Sequence, residues 1–132
     1  MQKVVIDTNI LVSALWSAEG KPSRLLAMLL TDQLVPCYDY RIMQEYREVL
    51  SRPKFSFSKA SVNDILAKIK ADGLSVVARP LDTQFDDPSD KMFFEVAKFC
   101  NAMLITGNTK HYPKDDLVVT VSDFLGNFNI RW

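Results

Sequence analysis

Three acidic residues stand at positions where their side chains could do chemistry. Asp7 comes directly after the apolar run at residues 4–6, and Glu45 and Asp90 lie near the beginnings of two segments with helical patterns. A buried, unpaired carboxylate is costly, so such a group normally takes up a proton or finds a partner. Carboxylates gathered within several ångströms repel by about 4 kcal/mol per close pair at an effective dielectric constant of about 20. A bound cation, a shared proton or a basic side chain would make that arrangement tolerable.

The ligand chemistry of these acids indicates which cation they would bind. Oxygen ligands without histidine or cysteine select hard divalent cations, so the acids predict a site for Mg²⁺ or Mn²⁺. Such ions keep several waters and typically bridge phosphate oxygens. The acids therefore favour phosphoryl chemistry.

Each of these residues, taken singly, also has a plain structural interpretation. Asp7 could cap the helix that follows it, and Glu45 could be a solvated helix acid. Asp90 could be an acid that the helix dipole favours in a first turn. Asn108, after a later apolar run, could be an ordinary turn residue. These interpretations remain open at this stage, and they weaken only when the residues are considered together.

Segments with strand and helix patterns alternate along the chain. The predicted strands are residues 4–6, 34–38, 74–78, 102–106 and 117–121. The alternation implies right-handed crossovers and a parallel sheet with helices on both faces. Ligand sites in such sheets lie beyond the carboxyl ends of the strands. We therefore expect Asp7, Asn108 and the first turn that contains Asp90 to meet at that edge.

Helix signals place Glu45 near the same edge. Asp39 is a good N-cap for a helix over residues 40–51, in which Glu45 borders the apolar stripe and can point toward the sheet edge. Ser61 predicts the start of a further helix that ends at Gly73, and another helix is predicted over residues 89–101. Pro36 suggests that the second strand lies at an edge of the sheet or that it marks a strand start.

Composition limits the class of protein. The 132 residues fit one domain, predicted over residues 1–132, and the formal net charge of zero argues against the basic footprint of a dedicated nucleic-acid binder. Cys37 and Cys100 stand among apolar residues and are interpreted as reduced core thiols. We expect a cytoplasmic protein, because no signal peptide or apolar run of about 20 residues is evident.

Four segments in order resemble the PIN-domain ribonucleases, and more narrowly the toxins of bacterial and archaeal toxin–antitoxin pairs. The segments are "VVIDTNILVSAL", "MQEYREVLSRPKF", "DPSDKMFFEVAKFCNAMLITGN" and "TGNTKHYP". The resemblance implies a three-layer α/β/α sandwich with a central, mainly parallel sheet of about five strands. It also implies a metal-dependent endoribonuclease that uses Mg²⁺ or Mn²⁺.

The same resemblance assigns roles to individual residues. Asp7, Glu45 and Asp90 match the metal-binding acids by position. The residues that match supporting positions are Thr8 and Asn9 beside the first acid, and Thr106 in the last motif. Where many relatives have a fourth aspartate, this chain has Asn108, which favours one tightly held ion; a second ion, if there is one, would arrive with the RNA phosphate. Asp115 or Asp116 could replace the missing acid, or both could belong to a solvated loop.

Several further residues are candidates for contacting RNA or a partner. The candidates for steering RNA are Arg41, Arg52, Lys91, Lys110 and Lys114, and His111 could contact phosphate or could be a surface turn residue. Trp16, Tyr38 and Tyr40 could stack on a base, with packing as the alternative. A small antitoxin would occupy the acidic cleft and offer an arginine to the carboxylates. A homodimer is also expected.

Three rival functions follow from the same residues. A PIN fold that binds RNA or protein without cutting is kept open by Asn108, and a housekeeping RNA-processing nuclease is kept open where no antitoxin exists. A phosphotransfer domain also places an aspartate after its first strand. However, the phosphatases of that class need a second aspartate two residues later, and Asn9 stands there.

Overall fold

The computed structural model describes residues 2–129, with side-chain detail for residues 2–127. A five-stranded parallel sheet in the order β3-β2-β1-β4-β5 forms the middle layer of an α/β/α sandwich, which confirms the predicted fold. The strands are β1 (Gln2–Ile6), β2 (Leu34–Tyr38), β3 (Leu74–Ser75), β4 (Met103–Ile105) and β5 (Val118–Val119). The helices in the described range are α1 (Thr8–Trp16), α2 (Lys21–Leu30), α3 (Tyr40–Leu50), α4 (Lys59–Asp72), α5 (Lys91–Cys100) and α6 (Val121–Asn129). Within this range, no helix combines the length and apolar character that crossing a membrane requires.

The positions of β1 and β4 inside the sheet explain why their sequences are continuous apolar runs. Val5 of β1 pairs with Leu104 of β4, and both side chains are fully buried because helices cover both faces of the sheet. Cys37 and Cys100 are buried, free thiols, as expected. Burial, together with the neighbouring Cys100, raises the pKa of Cys37 to about 12, so this thiol stays protonated at neutral pH.

The edge strands are shorter than the sequence indicated. β3 ends at Ser75 instead of residue 78, and Val77 is 91% exposed. β5 contains only Val118–Val119 of the five residues predicted. An edge strand pairs on one side only, so it has fewer ladder hydrogen bonds to extend it.

The interpretation of Pro36 as a mark of an edge strand is wrong. β2 lies between β1 and β3, and Pro36 itself is paired with Val4. β3 pairs only with Cys37 and Tyr38, so no β3 residue lies opposite the proline. The missing N–H of Pro36 is tolerated because the neighbouring strand is so short.

Helix starts follow capping residues, although not always the predicted ones. The cap at Asp39 is confirmed, since its carboxylate accepts the backbone N–H of Ile42 at 3.0 Å. Ser58, rather than Ser61, caps α4, which begins at Lys59. The predicted helix over residues 89–101 is divided into a 3₁₀ turn, Pro88–Asp90, and α5.

Gly73 ends α4 for a steric reason. The predicted helix end at Gly73 is confirmed, but its φ of −85° is accessible to any residue, so the glycine is not needed for a left-handed conformation. A Cβ at this position would lie 2.6 Å from the carbonyl oxygen of Pro36 and still closer to that of Ile69. The glycine therefore lets the end of α4 approach β2 closely.

We predict that Gly73→Ala lowers the free energy of unfolding by about 1–3 kcal/mol, because two backbone carbonyls must shift to admit the methyl group. The matched control is Gly126→Ala, where no atom lies within 4 Å of the added Cβ and stability should stay equal or rise. Urea unfolding monitored by circular dichroism measures both changes. Equal stability of the two variants would contradict the steric role of Gly73.

Candidate active site

The carboxyl edge of the sheet gathers the side chains that follow three neighbouring strands. Asp7 follows β1, Asp39 follows β2 and Thr106 follows β4. The backbone N–H of Asp7 donates to the carbonyl of Ile105 at 3.0 Å, which extends the pairing of β1 with β4 by one residue. The sheet register therefore sets Asp7 beside Thr106.

Two hydroxyl groups donate hydrogen bonds to the side chain of Asp7. Its side chain is 7% exposed, and Oδ2 accepts hydrogen bonds from the Thr106 hydroxyl at 2.8 Å and from the Tyr112 hydroxyl at 3.1 Å. Asp7 occupies the N-cap position of α1, as one interpretation of the sequence expected, but its carboxylate makes no capping hydrogen bond there and is free to face the edge. Two donors on one oxygen fix the orientation of this carboxylate.

Glu45 faces the same edge from the second turn of α3. The hydroxyl of Thr8 donates to Glu45 Oε2 at 2.5 Å, and Thr8 itself is buried in the first turn of α1. One residue further along, the Tyr46 hydroxyl donates to the carbonyl of Ile6 at 2.5 Å. These two contacts hold α3 against the end of β1, so Glu45 points inward and is not a freely solvated helix acid.

Asp90 ends the 3₁₀ turn that precedes α5 and faces the segment after β4. Its Oδ2 lies 3.6 Å from Nδ1 of His111, and Nε2 of His111 lies 2.9 Å from the side-chain nitrogen of Asn108. The tautomer of the imidazole decides whether His111 or Asn108 donates that hydrogen bond. Asn108 also donates its backbone N–H to the Thr106 hydroxyl at 3.1 Å. Asn108 and His111 therefore connect Asp90 to the hydroxyl that holds Asp7.

The pKa values of Asp90 and Glu45 are both raised at this edge. Burial and then the charge of Asp7 raise the pKa of Asp90 to about 6, with Asp87 and Glu45 contributing. Burial also raises the pKa of Glu45, and Asp7 and Asp87 add to that rise against the Thr8 hydrogen bond. The pKa of Tyr112 is raised by burial and by Asp7, so its hydroxyl stays protonated and can donate.

The donor set fits a hard divalent cation, although the side chains are not arranged around a common point. Within residues 2–129, no three histidine, cysteine or carboxylate side chains are grouped so that they could hold a metal ion. Among those residues, neither Asp7 nor Glu45 forms a salt bridge. Asp7, Glu45 and Asp90 supply only oxygen donors, which suit Mg²⁺ or Mn²⁺. Asp7 accepts hydrogen bonds from Thr106 and Tyr112, Glu45 accepts one from Thr8, and Asp90 lies 3.6 Å from His111.

The basic candidates fall into two groups. Lys91 is the first residue of α5, directly after Asp90, and Lys110 is exposed beside His111 in a 3₁₀ turn. Arg41 instead forms salt bridges with Asp39 at 2.7 Å and with the buried Glu95 at 2.8 Å.

Arg52 lies away from the acids. It pairs with Glu48 at 2.8 Å just beyond the end of α3. Helical rise separates it from Glu45 by about 10 Å along the axis. It therefore belongs to the opposite end of α3.

Two further predicted residues, Asn9 and Asp115, form no hydrogen bond or salt bridge with the acids in the described part of the chain. Asn9 is exposed in the first turn of α1. Asp115 forms a salt bridge with Lys98 at 2.8 Å, and that hydrogen bond lowers the pKa of Asp115. Asp115 is thus committed elsewhere and does not replace a fourth acid at this edge.

Three residues were missed by sequence reasoning. Tyr112 holds Asp7, Tyr46 holds the end of β1, and Asp87 adds negative charge near Glu45 and Asp90. Tyr112 stands within the quoted segment "TGNTKHYP", and Asp87 is three residues before Asp90. The sequence signal for Tyr112 and Asp87 was that each stands near a predicted site residue. That signal does not indicate which side chains they contact.

We predict that Tyr112→Phe lowers the free energy of unfolding by about 1–2 kcal/mol, because a hydrogen bond to a buried carboxylate is lost. If this edge is the catalytic site, cleavage should also fall about tenfold, as for other residues that orient a ligand. Tyr38→Phe is the matched control, since Tyr38 is equally buried and its hydroxyl makes only a 3.5 Å contact with the Lys70 carbonyl. Thermal unfolding and cleavage assays compare the two, and equal effects would contradict the role of Tyr112.

The chain is similar in sequence to known proteins. A family model described as "PIN domain" matches residues 3–110. The chain is 33% identical over 110 residues to the uncharacterized protein MJ1680 of Methanocaldococcus jannaschii, a span that covers 80% of this chain and 70% of the relative. No solved structure matches the chain significantly. The matched range contains all three acids and Asn108, and it ends just before His111 and Tyr112.

Proposed function

Because the chain belongs to the PIN-domain family, we propose that it is a metal-dependent endoribonuclease that hydrolyses RNA phosphodiester bonds at the carboxyl edge of the sheet. PIN domains are generally nuclease folds that use divalent metals such as Mg²⁺. The observation that carries the proposal is the placement of three acids at one edge of the sheet, where Asp7 follows β1, Glu45 faces inward from α3 and Asp90 ends the turn before α5. Burial, and after it the charge of Asp7, raise the pKa of Asp90, and burial with a further contribution from Asp7 raises the pKa of Glu45, as expected for carboxylates close to one another.

Asp7, Glu45 and Asp90 would hold Mg²⁺ or Mn²⁺ in this proposal. When bound, such an ion lowers the pKa of a water and offsets charge on phosphoryl oxygens. The protein's own contribution is to orient the acids. Thr106 and Tyr112 hold Asp7, and the hydrogen bond from Thr8 holds Glu45 on the inner face of α3.

Basic residues at the start of α5 and after β4 lie next to predicted site residues in sequence. His111 lies between Asp90 and Asn108, with Nδ1 3.6 Å from the Asp90 carboxylate and Nε2 2.9 Å from the Asn108 side-chain nitrogen. Lys91 and Lys110 flank these residues in sequence and would attract the RNA backbone. Asn108 brings no charge, which fits one tightly held ion better than two.

The test of this proposal is cleavage of assorted RNAs with Mg²⁺ or Mn²⁺ and with a chelator. We expect internal cleavage with either metal, loss of cleavage in EDTA and recovery when metal is added back. Fragments whose new ends lie within the substrate sequence would show that cleavage is endonucleolytic. Absence of cleavage with both metals, or equal cleavage in EDTA, would contradict the proposed activity.

The cellular role proposed is that of a cytoplasmic toxin in a toxin–antitoxin pair. The support is the resemblance of its segments to such toxins, together with Asp7 and Glu45, which form no salt bridge among the described residues. A small antitoxin would place an arginine on these carboxylates, and a homodimer is the expected assembly. Growth arrest on expression, relieved by the product of an adjacent short reading frame, would support this role. Growth unaffected by expression would favour a housekeeping RNA-processing nuclease.

A specific observation keeps a non-catalytic binding module as the second candidate. Asn108, an uncharged amide, stands where many relatives have an acid. A binding module would retain RNA or a protein partner in the presence of Mg²⁺ without cutting. RNA that stays intact while bound, with both metals tested, would favour this candidate.

A further inference from the structure

An aromatic and basic patch lies at the far ends of α1 and α3, away from the acids. We define this aromatic–basic patch as Trp16, Phe55, Phe57, Arg52 and Lys54. Trp16 is 65% exposed, although it stands edge-on to both phenylalanines at centroid distances of 5.9 and 6.1 Å. The two phenylalanine rings stack on each other at 5.2 Å with an interplanar angle of 8°. The phenylalanines thus support an indole that is largely open to solvent.

The local backbone builds this arrangement. Pro53 begins a 3₁₀ turn that ends at Phe55, and Ser56 then adopts a left-handed conformation with φ of 53°. The backbone N–H of Ser56 donates to the Pro53 carbonyl at 3.1 Å. A non-glycine residue in this region carries a conformational cost. That reversal at Ser56 brings the side chains on either side of it face to face.

The charge around the patch differs from that of the whole chain. Residues 47–63 contain four basic residues and one acid, a net charge of +3, whereas the chain as a whole is neutral. The ammonium group of Lys54 lies 5.1 Å from the centroid of the Phe55 ring. A cavity of about 370 Å³ adjoins the patch, and its lining includes Arg52, Phe57 and Lys59. The surface therefore offers aromatic faces and cations together.

This combination matches one class of occupant best. Cations that contact the backbone and exposed aromatic rings that stack on bases are what single-stranded nucleic acid requires. A purely apolar partner would not need the excess of positive charge, and an acidic peptide would not need the exposed indole face. Helix α1 also connects the acidic edge with the aromatic–basic patch. It begins beside Asp7 and ends at Trp16, about 12 Å further along its axis.

We propose that the aromatic–basic patch is a subsite for single-stranded RNA, in which Trp16 stacks on an unpaired base and Arg52 and Lys54 contact phosphates. The subsite rests on the proposed function, because it would hold a strand whose scissile phosphate lies at the acidic edge. The subsite would hold unpaired bases a few nucleotides from the cleaved bond. The pair of Arg52 with Glu48 would open when phosphate replaces the carboxylate.

The test is RNA binding by the full chain in EDTA, where no metal-dependent cleavage occurs. Fluorescence anisotropy with a labelled single-stranded RNA of about 12 nucleotides gives Kd. Trp16→Ala should weaken binding about tenfold, the loss of roughly one base stack, whereas Trp16→Phe should keep most of the affinity. The matched control is Phe99→Ala, which removes an exposed aromatic ring from α5 and should leave Kd unchanged.

Two further measurements separate stacking from charge and guard against a folding defect. Lys54→Gln and Arg52→Gln should each make the dependence of log Kd on log salt shallower by about 0.7. The same RNA annealed to its complement should bind the wild type and Trp16→Ala equally, because paired bases cannot stack on the indole. Thermal unfolding of each variant shows whether it is folded, and Lys54→Gln tests the patch if Trp16→Ala does not fold.

Each contrary outcome has a defined meaning. Unchanged single-strand binding by both Trp16→Ala and Lys54→Gln would overturn the subsite, as would an equal loss on duplex RNA. A change in dimerisation or in antitoxin binding, with RNA affinity unaltered, would assign the patch to a protein contact and also overturn it. Failure of the proposed function would appear separately, as absent cleavage by the wild type while Trp16-dependent binding persists.

Discussion

Replacement of Asp7 by asparagine should lower RNA cleavage by about 10³-fold or more while the fold stays intact. The amide keeps the size of the carboxylate and an oxygen that can accept from the Thr106 and Tyr112 hydroxyls. It removes the negative charge at the centre of the acidic edge, so affinity for a divalent cation is lost. Initial rates of RNA cleavage with saturating Mn²⁺ measure the effect.

The control for this prediction is an acid outside the site. Asp64→Asn changes an exposed carboxylate on α4 and should leave both cleavage and stability unchanged. Circular dichroism and thermal unfolding confirm that the Asp7 variant is folded. If the Asp7 variant cleaves as fast as the wild type, the nuclease site is not at this edge.

Asp90→Asn should produce two effects of opposite sign. Cleavage should fall by about 10³-fold for the same reason as at Asp7. In EDTA at pH 7.5, however, the free energy of unfolding should rise by about 1–2 kcal/mol, allowing for solvent screening of a partly exposed carboxyl group. The gain arises because burial and the neighbouring Asp7 disfavour the ionised form of Asp90.

The sign of the pH dependence follows from the raised pKa. The folded protein holds the Asp90 proton up to about pH 6, whereas the unfolded chain releases it near its usual 3.8. Wild-type stability should therefore decrease between about pH 4 and pH 6 on account of this group. The difference between Asp90→Asn and the wild type should vanish below pH 4 and reach its maximum above pH 6. Urea unfolding at several pH values in EDTA measures it.

Asp115→Asn provides a contrast of opposite sign. The hydrogen bond from Lys98 lowers the pKa of Asp115, so its ionised form stabilises the folded protein at neutral pH. That variant should be less stable than the wild type at pH 7.5, and the difference should shrink as pH falls through the lowered pKa. If Asp90→Asn were also destabilising at pH 7.5, the acids would not repel one another as described.

Local signals in the sequence were sufficient for much of the fold. The continuous apolar run before Asp7 reflects burial on both faces of a parallel sheet, and that burial is a property of consecutive residues. The cap at Asp39 involves a hydrogen bond to Ile42 only three residues away. The alternation of such segments, with the rule that parallel strands end at one edge, placed Asp7 and Asn108 on the same side of the molecule.

Other features depended on pairing and packing between distant segments. Pro36 lies inside the sheet because β3 is only two residues long, and Gly73 is required by the approach of α4 to Pro36. Neither feature has a local signature, since each depends on where another segment ends. The predicted helix after residue 88 likewise gives way to a 3₁₀ turn that positions Asp90 ahead of α5.

The sequence by itself determined which residue types would be available at the carboxyl edge, because strand periodicity and chain order decide which residues follow each strand. Only the tertiary structure decided what those residues contact. Tyr112 reaches Asp7 across 105 positions of the chain, Thr8 reaches Glu45 across 37, and Arg41 is engaged by Glu95 across 54. Such contacts arise from sheet register and helix packing, which sum many distant interactions that no short segment of sequence contains.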